Sequence, residues 1–131
     1  MASRYGINPA METFVAGADL SLVAVGTLMK KGPLGVVPVS AADDNPAGAL
    51  AERVLGGRGV DVKLAVVNKS REILCVAHED LRVGDRVGPS ATGRVQKTIA
   101  AGSVDLGSVE DAGDAGELVV VDVTDRRTKH A

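Results

Sequence analysis

The chain has 131 residues, a formal net charge of -2 and 45% hydrophobic residues, but only 2% aromatic ones. Its length argues for one domain, burying roughly two-thirds of the surface its unfolded chain exposes, and its composition excludes disorder. The charge advertises no nucleic-acid partner, and no apolar run approaches the ~20 residues of a membrane span.

With no Trp, one Tyr and one Phe, the core must be built from Val, Leu and Ala, and 16 Gly favour short strands joined by tight turns. The single Cys75 excludes an internal disulfide and a cysteine-based zinc site, and its apolar run Ile73-Leu74-Cys75-Val76 predicts a buried, inert thiol. The N-terminus lacks a signal peptide's basic region and apolar run, so the expectation is a protein made in the cytoplasm that stays or assembles there.

In chain order, residues 1–19 read as a separate arm. Tyr5, Ile7, Pro9 and Met11 alternate with Gly6, Asn8, Ala10 and Glu12, which is a strand's period of two. Pro9 would confine such a strand to an edge. Both aromatic residues, Tyr5 and Phe14, lie in this arm. Two readings stand: a strand folded back on its own domain, or an intermolecular contact.

Leu20–Val25 then reads as an apolar strand ending at Gly26, and Thr27–Lys30 leads to the turn Lys31-Gly32-Pro33. Val36–Val39 follows, with Pro38 marking an edge or bulge, and Asp43-Asp44-Asn45-Pro46 is a turn. Ala47–Leu55 is open between a short helix, favoured by its residue types, and a strand, favoured by its place in a repeat. After Gly56-Gly57-Arg58-Gly59, Val60–Val67 alternates as a half-buried strand. Ile73–Ala77, Asp85–Val87, Arg94–Thr98 and Leu118–Val123 complete the strands, and Asp125–Ala131 is a charged tail.

A weak internal repeat links the halves. Gly35-Val36-Val37 matches Gly93-Arg94-Val95, and Ala47–Glu52 matches Asp105–Glu110 in shape. Gly59-Val60-Asp61-Val62 matches Gly116-Glu117-Leu118-Val119. Two copies cannot form a solenoid, so a barrel or sandwich of two similar β-units is expected.

Candidate chemistry is sparse. His78 lies in Ala77-His78-Glu79-Asp80, without a second His or a Cys at ligand spacing, which favours a surface or capping role over metal binding or catalysis. No Gly-x-Ser-x-Gly elbow is present, and Gly56–Gly59 is not a phosphate loop. Glu110, Asp111 and Asp114 lack the spacing of a calcium loop. The reading is therefore non-enzymatic, with no catalytic residue, no cofactor, no metal and no small-molecule substrate.

Leu81-Arg82-Val83-Gly84-Asp85-Arg86-Val87, then Ser90-Ala91-Thr92-Gly93-Arg94-Val95, then Gly116-Glu117-Leu118-Val119-Val120-Val121 form an order that resembles the small capsid decoration (cement) proteins of tailed phages, especially those infecting actinobacteria. The resemblance covers most of residues 20–124. It implies an all-β fold, a small barrel or tulip-like domain, trimeric and bound to the major capsid protein at three-fold and quasi-three-fold positions of the capsid exterior. It implies a virion location after assembly in the host cytoplasm, with no nucleic-acid or membrane partner.

The domain reading is arm 1–19, β domain 20–124 and tail 125–131. The arm's Tyr5, Ile7, Pro9, Met11 and Phe14 are the expected contact to the capsid or a neighbouring subunit, and a chain beginning at Thr13 is expected to keep its melting temperature. The alternative reading is a β-barrel adaptor or regulatory module of a cellular assembly.

Overall fold

The computed structural model describes residues 7–98 and 102–124; Tyr5 and the charged tail from Asp125 lie outside them. Ten strands and no helix occur among the described residues: β1 Met11–Val15, β2 Leu28–Gly32, β3 Gly35–Pro38, β4 Gly48–Leu50, β5 Asp61–Val66, β6 Glu72–Val76, β7 Arg86–Pro89, β8 Val95–Lys97, β9 Gly107–Asp111 and β10 Leu118–Asp122. They form two five-stranded antiparallel sheets, ordered β1-β5-β4-β2-β3 and β6-β10-β9-β7-β8.

Read by position within each half, these two orders are the same. A parallel bridge joins the outer strands of each sheet, Ala16 to Val36 and Ala77 to Val95, so each sheet curls into a small, partly closed barrel. The hydrogen bonds repeat as well. Ala16 N donates to Val60 O and Ala77 N to Glu117 O; Gly26 N donates to Leu50 O and Gly84 N to Val109 O. Gly59 N donates to Ala16 O and Gly116 N to Ala77 O, and both of these glycines have positive φ.

The repeat read from sequence is thus part of a larger one covering both halves. Its Gly59/Gly116 match is in register, whereas the other two are one residue out: Val36 corresponds to Val95, and Gly48 to Gly107.

Alternation along the strands serves two cores. In the first barrel Met29, Leu50 and Leu64 point inward to a cluster with Ala16, Leu20, Val36 and Val62. Their neighbours Leu28, Ala49 and Ala65 point outward and join the second barrel's interior, formed by Cys75, Leu81, Val87, Val109, Val119 and Val121. The first barrel's outer face is therefore the inter-barrel interface. In the second barrel the residues at those three positions are Arg86, Ser108 and Asp122, and that face is polar.

Gly48 and Gly107 open equivalent strands that pass directly against a carbonyl. An added Cβ would collide with Ala65 O at the first position and with Asp122 O at the second. Gly48→Ala and Gly107→Ala should each cost about 1–3 kcal/mol through forced strand displacement, measurable by urea unfolding. Unchanged midpoints would mean that the strands separate freely there.

One expectation is corrected, and two segments left open by the sequence are placed. Leu20–Val25 is a loop with two turns, closed by Val23 N to Leu20 O and Thr27 N to Ala24 O. Only Leu20 is buried, plugging the first barrel, and Leu22 is 98% exposed. Ala47–Leu55 contains the strand Gly48–Leu50 and then loop rather than a helix, because β4 must bridge β2 and β5 to complete the barrel wall. The arm, from Ile7 on, lies on its own domain. Met11–Val15 pairs with β5, because β5 needs a partner on that side, and Ile7 is buried at 6% exposure.

Candidate functional site

The polar residues weighed from sequence do not converge. His78 is exposed, Glu79 Oε2 accepts from Lys97 N at 3.0 Å, and Asp80 Oδ1 accepts from Ala115 N at 3.0 Å. The two acids thus brace different elements, the end of β8 and the Ala115 turn. Asp114 sits 3.7 Å from Arg82, and no group of three His, Cys, Asp or Glu suited to a metal occurs among the described residues. Cys75 is fully buried inside the second barrel, and burial pushes its thiol pKa far above the ordinary range, so no thiolate nucleophile forms.

One polar element escaped sequence reading. Asp105 is buried and accepts from Arg86 Nε at 3.0 Å and Nη2 at 2.6 Å, a two-pronged ion pair on the second barrel's polar face. Nothing in the local pattern distinguishes Asp105 from other loop acids, since β7 and the Asp105 loop meet only through the fold.

The features that remain are surfaces. At the mouth of the first barrel lies a cleft of ≈ 630 Å³, lined by Glu12 and Phe14 of β1, Lys30 and Lys31 of β2, the Asp44–Ala47 loop, and Val66, Asn68 and Lys69. Lys30 Nζ pairs with Asp44 at 2.8 Å and Lys69 Nζ with Glu12 at 2.6 Å. The Lys30 bond, with donation from Ser40 N and Ala41 N, holds the Asp44 carboxyl below the usual range. Any stability drawn from this half-buried carboxylate is present above the unfolded carboxylate pKa and lost as pH falls through the depressed value.

The sequence-predicted contact residues separate in space. Tyr5 is outside the described residues. Ile7 is buried, Pro9 is half-buried, and Met11 is exposed at 54% on the outer face of β1. Phe14 points the other way, packs against the first core and helps to line the cleft. The simple alternation fails because the chain is not a strand before Met11. Ala10 N is instead anchored on Ser70 Oγ at 3.0 Å, which resets the phase.

No family model matches the sequence, and no curated protein matches it. Among solved structures, the head fibre gp8.5 N base of bacteriophage phi29 superposes with a TM-score of 0.66 at 17% identity, over 94% of this chain and 100% of that one. The chain shares the fold of a phage head-fibre base. Coverage that high takes in both barrels, so the likeness extends to the duplicated arrangement and is not a match to one generic β-barrel. At this identity the likeness is one of fold, carried by topology and not by a shared set of reactive side chains.

Proposed function

We propose that this protein is a structural virion protein of a tailed phage, binding the capsid exterior and stabilising it as trimers at three-fold and quasi-three-fold positions. The observation that carries the reading is the near-complete superposition on a phage head-fibre base. The described residues support it by what they offer a partner. They present apolar side chains at the surface (Leu22, Leu34, Leu55 and Val83 are all exposed) in place of a converging polar site. Three copies around a local axis would bind multivalently, so weak single contacts suffice for stable attachment.

The test is to mix the purified chain with capsids of the phage that encodes it, stripped of their decoration, and to band the particles on a density gradient. The protein should co-migrate with the particles at a fixed stoichiometry, and cryo-electron microscopy should place it in threes on the outer surface. Absence from the particle band would sink the reading. Isolated single copies on the shell would keep the virion role and remove the trimer.

A further inference from the structure

Two curled sheets have four outer strands, and each is a potential template for another chain unless something seals it. Three are sealed. On β3, Val36 O accepts from Gly17 N, and Pro38 has no N–H to offer. On β8, Val95 O accepts from His78 N, and Lys97 N donates to Glu79 Oε2. On β6, Val76 N donates to Gly26 O of the first barrel at 3.2 Å.

The fourth, β1, is open. Ala16 N donates to Val60 O, and Val66 N donates to Ala10 O, so the even-numbered residues of β1 face β5. Met11, Thr13 and Val15 therefore turn their main chain away from β5. β3 meets the C-terminal end of β1, where Ala16 bridges to Val36 and the Val15 carbonyl lies against Gly35. Met11 and Thr13 thus run past the β2–β3 hairpin, and their outward N–H and C=O groups have no partner among the described residues. The duplication supplies an internal precedent. The β6 residue equivalent to Val15 is Val76, and its N–H donates a main-chain hydrogen bond to Gly26 O of the other unit.

The open edge adjoins the cleft, because Glu12 and Phe14 alternate with the residues that carry the free groups. Three cations line the cleft against two acids: Lys30 is matched by Asp44 and Lys69 by Glu12, which leaves Lys31 without an acid among the described residues. We propose that β1 and this cleft form a strand-addition site for an extended segment of another polypeptide, one that turns an acidic side chain toward Lys31. Main-chain bonds to Met11 and Thr13 would give affinity, and the cleft would choose the side chain. The site goes beyond the virion reading and does not depend on it.

The test uses the full chain and a library of random dodecapeptides. Peptides selected on the protein should be enriched in Asp or Glu and should perturb the Met11 and Thr13 amide resonances on binding. Thr13→Pro removes an N–H that bonds nothing among the described residues and, besides it, only the exposed bond from Lys63 Nζ to Thr13 Oγ1, so the fold should persist while peptide affinity falls at least tenfold. Lys31→Glu, a surface change, should also weaken the acidic peptides tenfold and admit basic ones. An empty selection, peptides that bind Thr13→Pro undiminished, or resonance changes confined to other strands would each overturn the site. None of these results bears on whether the protein bands with capsids.

Discussion

Val62→Asp will lower the stability of the protein by roughly 3–5 kcal/mol, because an ionised or reluctantly protonated carboxyl would sit unpaired in an apolar interior. Val62 is 3% exposed and packs in the first barrel with Leu20, Leu50 and Leu64. No basic side chain belongs to that cluster, so relief must come from protonation or from opening the barrel. Both routes are costly, and the loss of the valine itself adds about 1.5–3 kcal/mol of burial to the gross cost. A circular dichroism melt should show a midpoint lowered by roughly 10–20 °C. Val60→Asp, at a half-buried position just before β5, should have a much smaller effect. Equal effects at the two positions would mean that the inward face has been assigned wrongly.

The β5 face was legible because one side of that strand is wet. Asp61 and Lys63 alternate with Val62 and Leu64, and the pattern states its own orientation. Leu118–Val123 was legible for the opposite reason. It is a nearly continuous apolar run in which Val119, Val121 and Val123 serve the core and Val120 is buried on the other face, which ends at Asp122.

Leu20–Val25 misled because its composition resembles such a strand, while one plug residue and an exposed loop satisfy it. Composition cannot say that Leu22 faces water. Strand β9, Gly107–Asp111, gave no signal of its own, since Gly, Ser, Glu and Asp are poor strand formers and only pairing to β7 and β10 holds it extended. It was visible solely as the second member of the repeat.

The candidate site was less legible still. That β1 is an edge strand could be suspected from Pro9 and the alternation. That β6 is tied to the other unit while Met11 and Thr13 of β1 are not depends on Gly26 reaching Val76, a contact between two units at residues far apart in sequence. The duplication clarifies what local patterns could not. At equivalent positions the first barrel carries Leu28, Ala49 and Ala65 where the second carries Arg86, Ser108 and Asp122. One face thus became an internal interface while its counterpart became a polar surface. The asymmetry stops the units from stacking indefinitely through the same contact, which an unmodified head-to-tail repeat would permit.

A chain that begins at Thr13 should lose roughly 3–5 kcal/mol of stability, contrary to the sequence expectation of an unchanged melt. The truncation removes Ile7, whose burial contributes about 1.5–3 kcal/mol. It also removes Met11 and Glu12, which pair with Ala65 and Leu64, and Ala10, whose carbonyl accepts from Val66 N. Each lost ladder bond contributes about 0.5–1.5 kcal/mol net, and the exposed edge of β5 would be left as a template for aggregation. Against a typical domain stability of about 5–15 kcal/mol, the truncated chain should melt far below the intact one and should tend to associate on heating. Ile7→Ala alone should reproduce a large part of the loss, on the order of 2–4 kcal/mol, without shortening the strand. If the truncated chain melts with the intact protein and binds its partner weakly, residues 7–12 work between molecules and the first barrel stands without them. If both variants melt early, β1 is part of the barrel wall, and its free edge is presented on a strand fixed in place rather than on a loose arm.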